Sequence, residues 1–252
     1  MNRLFQRSVC LALLLAFSPP CAWAAAGDEE VTVTTDFAYA TSYIFRGLQR
    51  AHHSLQSAVT VTHGGFNGGV WANVPTDRGE AHEIDPFLFY SFAASGLSWD
   101  TGLLVYTYPE ASDIGTSHTC ELSLGATAPL AIVTGVPVNA GAIVSYDLRL
   151  ARLNIEATVE HAEEFTFATR PAEWSLGVFA GCNDGRNLTP EDPGPQYRDA
   201  YLYYGFKLAL SCKLSGRAAF KLTGQWDDAR NVDPGQGHSG NLSGIAMLSW
   251  VW

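Results

Sequence analysis

Apolar and polar residues alternate with a period of two along this chain, and that leaves it few folds to choose from. In the run from Leu153 to Glu160 (LNIEATVE) every even position is polar and every odd one apolar. Residues 119–128 repeat the pattern, with Thr119, Glu121, Ser123 and Thr127 opposing Leu122, Leu124, Ala126 and Ala128. Residues 217–226 set Arg217, Lys221, Thr223 and Gln225 against Ala218, Phe220, Leu222 and Trp226. Residues 200–210 set Leu202, Tyr204, Phe206, Leu208 and Leu210 against Tyr201, Tyr203 and Lys207. Side chains repeat every second residue only on a strand, so each run has one apolar and one polar face. No comparable 3.6-residue stripe is present. The chain is all-β.

The pattern divides into about twelve strands: 31–46, 54–63, 66–74, 82–93, 97–108, 117–128, 136–147, 151–162, 173–182, 199–210, 215–226 and 240–252. Most are longer than the ~5–6 residues of a soluble strand and close to the ~9–11 of a membrane-spanning one. Connections at 64–65, 93–96 and 211–214 are short. Those at 109–116, 183–198 and 227–239 are longer and richer in Gly, Pro and Asp. Short turns alternating with long loops is the rhythm of an up-and-down barrel with both termini on one side. The run 163–172 breaks the rhythm, since it reads as a long connection on the turn side. No linker divides the strands, so residues 25–252 form one domain.

Residues 1–24 read as a secretory leader. Arg3 and Arg7 precede the apolar run Val9 to Phe17, Pro19 and Pro20 end it, and Ala22-Trp23-Ala24 offers a cleavage site. The apolar run is far shorter than the ~20 residues of a spanning helix. Cleavage removes two of the 15 basic residues and none of the 25 acidic ones, so the mature chain is more acidic than its formal charge of −10. That balance excludes nucleic acid as a partner, because phosphate binding needs clustered Lys and Arg. Cys120, Cys182 and Cys212 remain, widely spaced and without metal-ligand spacing, and read as small apolar fillers or at most one disulfide.

A secreted β-sandwich would show the same alternation. Three features favour a membrane barrel. Aromatic residues fall near strand ends, at Tyr106, Tyr108, Trp174, Trp226, Trp250 and Trp252, as in an interfacial girdle. The polar faces are Thr, Ser, Asn, Gln and charge, which suits a hydrated lumen. The chain closes on Leu248-Ser249-Trp250-Val251-Trp252, with three large apolar residues on one face. That ending resembles the assembly signal of bacterial outer-membrane barrels, which implies Sec-type export, recognition of Trp252 by the barrel-assembly machinery, and residence among outer-membrane lipid of a Gram-negative cell.

The stretch Thr41-Ser42-Tyr43-Ile44-Phe45-Arg46-Gly47-Leu48 resembles the opening motif of the TorF-type porin family, also called Gcw_chp proteins, whose first strand ends in Ser-Asp-Tyr-x-Phe-Arg-Gly. The similarity continues through Gln56, through Gly69-Val70-Trp71-Ala72-Asn73, and to Glu83-Ile84-Asp85. It covers roughly residues 33–92 and reaches the rest only in strand rhythm. Thr41-Ser42 departs from the usual Ser-Asp, and Pro86 removes a ladder donor, which suggests a bulge or a strand start. The resemblance implies an outer-membrane barrel classed as a porin by architecture, with no defined substrate.

Inward-facing polar rows are the candidate solute path. Alternation nominates Gln56 and Thr60; Glu121; Arg152, Glu156 and Glu160; Lys207; and Arg217 and Lys221. Arg46 joins them in one reading, pointing inward to pair with Glu83 or Asp85; in the other it is a rim residue beside a turn glycine, Gly47. Rings of opposite charge orient dipolar solutes, and the acidic excess favours cations mildly. Catalysis finds no support. There is no GxSxG elbow, and His238 and Ser239 are adjacent on a loop and cannot readily form a dyad. The histidines lack ligand spacing, and the pairs Glu163-Glu164 and Asp227-Asp228 read as solvated surface, so neither metal nor cofactor is implied. The expected function is a porin for passive diffusion of small hydrophilic solutes. The alternative is a non-conducting barrel with a structural or adhesive role through its outer loops, 183–198 and 227–239.

Overall fold

The computed structural model describes residues 31–110, 118–130, 136–185, 200–230 and 240–252; the leader predicted over 1–24 and most of the long loops lie outside them. The strands are β1 (Thr32–Ala40), β2 (Tyr43–Phe45), β3 (Leu48–Ala51), β4 (Ser54–His63), β5 (Phe66–Pro75), β6 (Glu83–Ala94) and β7 (Leu97–Thr107). They continue as β8 (His118–Pro129), β9 (Val138–Asp147), β10 (Arg152–Phe167), β11 (Arg170–Gly185), β12 (Tyr201–Lys213), β13 (Ala218–Arg230) and β14 (Asn241–Val251). Twelve of these, all but β2 and β3, form a closed antiparallel barrel in which each strand pairs with its neighbours in sequence. β1 closes the ring by pairing with β4 on one side and β14 on the other, from Thr34↔Val251 to Ala40↔Ile245. No helix occurs among the described residues.

The two faces of the wall are reversed relative to a water-soluble protein. Phe37 is 63% exposed and Leu88 53%, while Asp36 is 0% and Glu121 2% exposed. Apolar side chains cover the outside and carboxylates and amides lie within, the arrangement of a barrel standing in lipid around a polar interior. Aromatic residues gather outside the wall near its ends. On the turn side Phe66, Tyr90, Phe92 and Trp99 form a ladder with ring centroids 4.6, 5.8 and 6.4 Å apart in succession, and Trp250 meets Trp252. On the loop side Trp226 packs between Tyr204 and Phe206. Trp174 stacks edge-on against His161 on the outer surface. Tyr106 and Tyr108 do not belong to this girdle; Tyr106 is buried inside the barrel and Tyr108 packs beside it, because the even positions of β7 face inward.

Two of the boundaries that differ from the sequence reading change the architecture. The first strand ends at Ala40 rather than 46, and residues 43–51 form a separate hairpin. The supposed long connection at 163–172 is strand instead: β10 and β11 pair without interruption down to Phe167↔Arg170 around Ala168-Thr169. Both turn residues have positive φ, 47° and 69°, the geometry that usually selects Asn-Gly. Neither residue carries that signal, so the turn is invisible in the sequence. β10 continues past His161, its last pairing with β9, and the hairpin therefore projects beyond its neighbour on that side. Pro86 causes no register shift; β6 pairs with β5 across it and with β7 only from Phe87 onward. Cys120, Cys182 and Cys212 are half-buried free thiols.

Replacing Ala168-Thr169 by Asn-Gly relieves two left-handed non-glycine residues, each strained by about 1 kcal/mol. The refolded variant is expected to resist urea better than the wild type in an equilibrium unfolding titration; an unchanged or lower midpoint contradicts the turn geometry.

A hairpin across the lumen as the candidate functional site

The interior is organised by the short hairpin that leaves the wall after β1. Its base is stitched to β14, the neighbour of β1 in the wall. Thr41 donates its backbone N–H to the Gly244 carbonyl at 2.9 Å, Gly244 N–H donates to Thr41 Oγ1 at 2.8 Å, and Ser243 Oγ donates to the Ser42 carbonyl at 2.5 Å. β2 and β3 then pair only with each other, with Arg46-Gly47 at the turn and φ of 51° and 77°. Positive φ at both central residues makes this a tight hairpin turn, for which glycine is suited and arginine is not.

The hairpin reaches both sides of the barrel. Tyr43 packs on Trp71 of β5 with centroids 5.4 Å apart, and Phe45 meets Tyr106 of β7 edge-on at 5.8 Å. Leu48, 3% exposed, packs on the opposite side with Tyr201 and Tyr203 of β12 and Ala229 of β13. Gly47 is wedged there: a Cβ on it would stand 2.7 Å from Tyr203 Cβ and 3.1 Å from Ala229 Cβ. Asn241 Nδ2 of β14 donates to the Gly47 carbonyl at 3.1 Å.

Arg46 anchors the tip. Its Nη2 donates to both carboxylate oxygens of Glu121 on β8, at 2.8 and 2.9 Å, with both side chains buried. The guanidinium also lies over the Phe45 ring, 4.7 Å from its centroid. Burial works against the charge on Arg46, but Tyr106, Glu121 and Tyr203 more than offset it and raise its pKa. Arg46 therefore points inward, and its partner is Glu121 rather than Glu83 or Asp85. Glu83 and Asp85 are occupied elsewhere: Tyr108 donates its hydroxyl to Glu83 at 3.1 Å and Thr107 its backbone N–H to Asp85 at 3.3 Å. Burial, then the charges of Glu83 and Asp85, push the Tyr43 phenol well above its ordinary range, so Tyr43 stays protonated beside them.

The lumen is consequently asymmetric. On the β1–β7 side, Ala38, Trp71, Phe87, Phe89, Leu104, Tyr106 and Met247 pack into an apolar cluster under Tyr43 and Phe45. On the far side a cavity of about 90 Å³ remains, lined by Ile44 and Arg46 of the hairpin and by Glu156, Glu160, Ser175, Phe179, Lys207, Gln225 and Asp227 of the wall. Lys207 Nζ lies 5.4 Å from the Phe179 ring centroid. Asp227 Oδ2 accepts from Gln225 Nε2 at 2.7 Å.

Of the residues nominated from the sequence, Arg46, Glu156, Glu160 and Lys207 meet at this cavity, and Glu121 touches it through Arg46. Gln56 and Thr60 are buried on β4, away from it, where Gln56 Nε2 donates to Asn73 Oδ1 at 3.0 Å. Arg152 and Lys221 are half-buried on β10 and β13. Arg217 is exposed in the turn before β13 rather than on a strand face. Asp227 and Asp228 correct the solvated reading. Asp227 is 1% and Asp228 4% exposed, the latter accepting from Tyr204 at 2.6 Å and pairing with Arg230 at 3.1 Å. Strand β13 extends to Arg230, four residues beyond its predicted end, and carries both aspartates into the wall.

Residues 24–141 match the family model Gcw_chp, described as a bacterial protein of unknown function. That span includes the hairpin and its anchor on β8. No curated protein matches the chain. Among solved structures, the chain is similar to the COG4313 outer membrane channel from Pseudomonas putida F1, at 10% identity and a TM-score of 0.54, over 94% of this chain and all (100%) of that one. It is also similar to the NanC porin, at 9% identity and a TM-score of 0.51, over 86% of this chain and 98% of that one. At these identities the likeness concerns the fold alone.

Substituting Arg46→Ala strands the Glu121 carboxylate inside the barrel, a loss of about 3–5 kcal/mol for a broken buried pair. Pairing it with Glu121→Gln is expected to restore much of that loss in urea titrations of the refolded barrel. Equal loss in the single and double variants removes the ion pair from its anchoring role.

Proposed function

We propose that the protein is an outer-membrane channel for small hydrophilic solutes whose path runs past the hairpin tip, on the β8–β13 side of the lumen. The observation that carries this reading is the asymmetry of the interior. The hairpin and the apolar cluster fill one half, and the other half keeps a cavity lined by charged and polar groups. A structural filler alone would pack both halves, since buried carboxylates and amines are expensive without partners. The resemblance to TorF-type porins supports the same reading. Passage would be passive: the hairpin sets the size limit and the lining charges set the preference among solutes.

Delivery to that location is part of the proposal. A leader over residues 1–24 would direct Sec-type export, and the terminal strand would present Trp252 to the assembly machinery. Trp252 is 69% exposed, and it ties down β1 through its N–H to the Val33 carbonyl at 3.0 Å and Nε1 to Thr35 Oγ1 at 3.2 Å. The rival reading, a non-conducting barrel, draws on the same hairpin, because its two-sided anchoring suits a permanent plug.

Planar-bilayer recording separates the two. Discrete single-channel steps are expected from the refolded wild type, and a deletion of residues 42–52 bridged by glycines is expected to raise the conductance several-fold, as widening a constriction does. Silence from both proteins, correctly folded by heat-modifiable gel mobility, overturns the channel reading.

A further inference from the structure

The cavity beside the hairpin tip carries more carboxylate than its own cations match. Glu156, Glu160 and Asp227 line it; Lys207 acts on all three and Lys221 on Glu160, while Arg46 gives Nη2 to Glu121. Two of the carboxylate oxygens, Glu156 Oε2 and Asp227 Oδ1, are buried with no hydrogen-bond partner in the protein. Glu156 is 2% and Asp227 1% exposed, so neither oxygen is satisfied by bulk solvent. A carboxyl oxygen in that position lacks a donor, and leaving it so is costly.

We propose that this cavity is a binding subsite for monovalent cations, ammonium-bearing organic ions included, with Glu156 and Asp227 as its acceptors. The inference rests on the channel reading for its place on a solute path, but not for the binding itself. The chemistry is specific in three respects. Carboxylate oxygens that lack donors are satisfied by N–H groups, and such charge-assisted bonds are stronger than neutral ones. A multivalent metal is not the fit, because no cluster of three or more His, Cys, Asp or Glu among the described residues is arranged to hold one. An anion would meet three carboxylates. Gly205 preserves the space: a Cβ there would stand 2.8 Å from Asp227 Oδ1 and 2.6 Å from the Phe179 ring. A cavity of about 90 Å³ admits a small ammonium ion or a hydrated alkali ion and excludes larger ones.

The test uses the full refolded protein and a Glu156→Gln/Asp227→Asn double variant, both of which keep the Arg46–Glu121 anchor. Under a potassium chloride gradient the wild type is expected to give a reversal potential of cation-selective sign, and the double variant to lose at least half of it while its conductance steps persist. A Glu163→Gln/Glu164→Gln variant removes the same charge from the exposed end of the β10–β11 hairpin and is expected to leave the potential unchanged. Saturation-transfer NMR with butylammonium and detergent-folded protein reads binding without conduction, and its signal should fall roughly tenfold in the double variant, the loss of a charge-assisted bond. Potassium selectivity without a butylammonium signal restricts the site to inorganic ions. A silent bilayer with butylammonium binding intact overturns the channel reading and leaves the subsite standing. A conducting wild type whose selectivity survives the cavity substitutions, or follows the exposed-hairpin substitutions equally, overturns the subsite. So does absence of both cation selectivity and butylammonium binding.

Discussion

Closure is the constraint on which everything else depends. In a hydrocarbon surrounding, each backbone N–H and C=O must find its partner within the sheet, and an unpaired edge is not tolerated. β1 meets this by pairing on both sides, with β14 along the seam and with β4 across the next interface. Once the ring is shut, the period of two has only one consequence: alternate side chains face outward or inward, with no third choice. The exposed leucines, valines and phenylalanines and the buried aspartates and glutamates follow from that single geometric fact.

Closure also creates the problem that the hairpin resolves. β1 pairs directly with β4, so the residues between them cannot join the wall and must go inward or outward. Tyr43, Phe45 and Leu48 are apolar or aromatic and find burial against Trp71, Tyr106 and Tyr203, while Arg46 finds the only chemistry that repays bringing a guanidinium inside, a carboxylate at 2.8 Å. Filling one half of the lumen with aromatic packing leaves the charges of β10–β13 facing a residual cavity. Selectivity, on this view, is a by-product of where the hairpin lies, since the charges it leaves uncovered are those that a solute would meet.

Much of the wall was legible in the sequence because it depends on local pattern. The alternation of β10 between Leu153 and Glu160 is that of a two-faced strand, and the twelve strands of the barrel correspond to the twelve read from the chain. The turn at Ala168-Thr169 escaped because neither residue has the flexibility that usually announces positive φ. Asp227 and Asp228 escaped because neighbouring acids ordinarily sit in water, and nothing nearby in the chain reveals that Tyr204 and Arg230 meet one and the lumen holds the other. Tyr106 was read as girdle because an aromatic residue near a strand end looks the same whichever way its face turns. Phe87-Leu88-Phe89-Tyr90 did carry a clue: apolar residues on both faces of one strand require something apolar inside as well as outside.

What the sequence by itself determined is the alternation, hence an all-β chain with one apolar face, and with strand lengths and turn rhythm a closed wall of about twelve strands. Period and length are properties of neighbouring residues, and no distant contact is needed to state them. Only the tertiary structure decided that Arg46 pairs with Glu121, that Gly47 is wedged against Tyr203 and Ala229, and that one half of the lumen is packed while the other keeps its charges. Those facts join residues on opposite walls of a ring, and their proximity exists only after β1 has met β14.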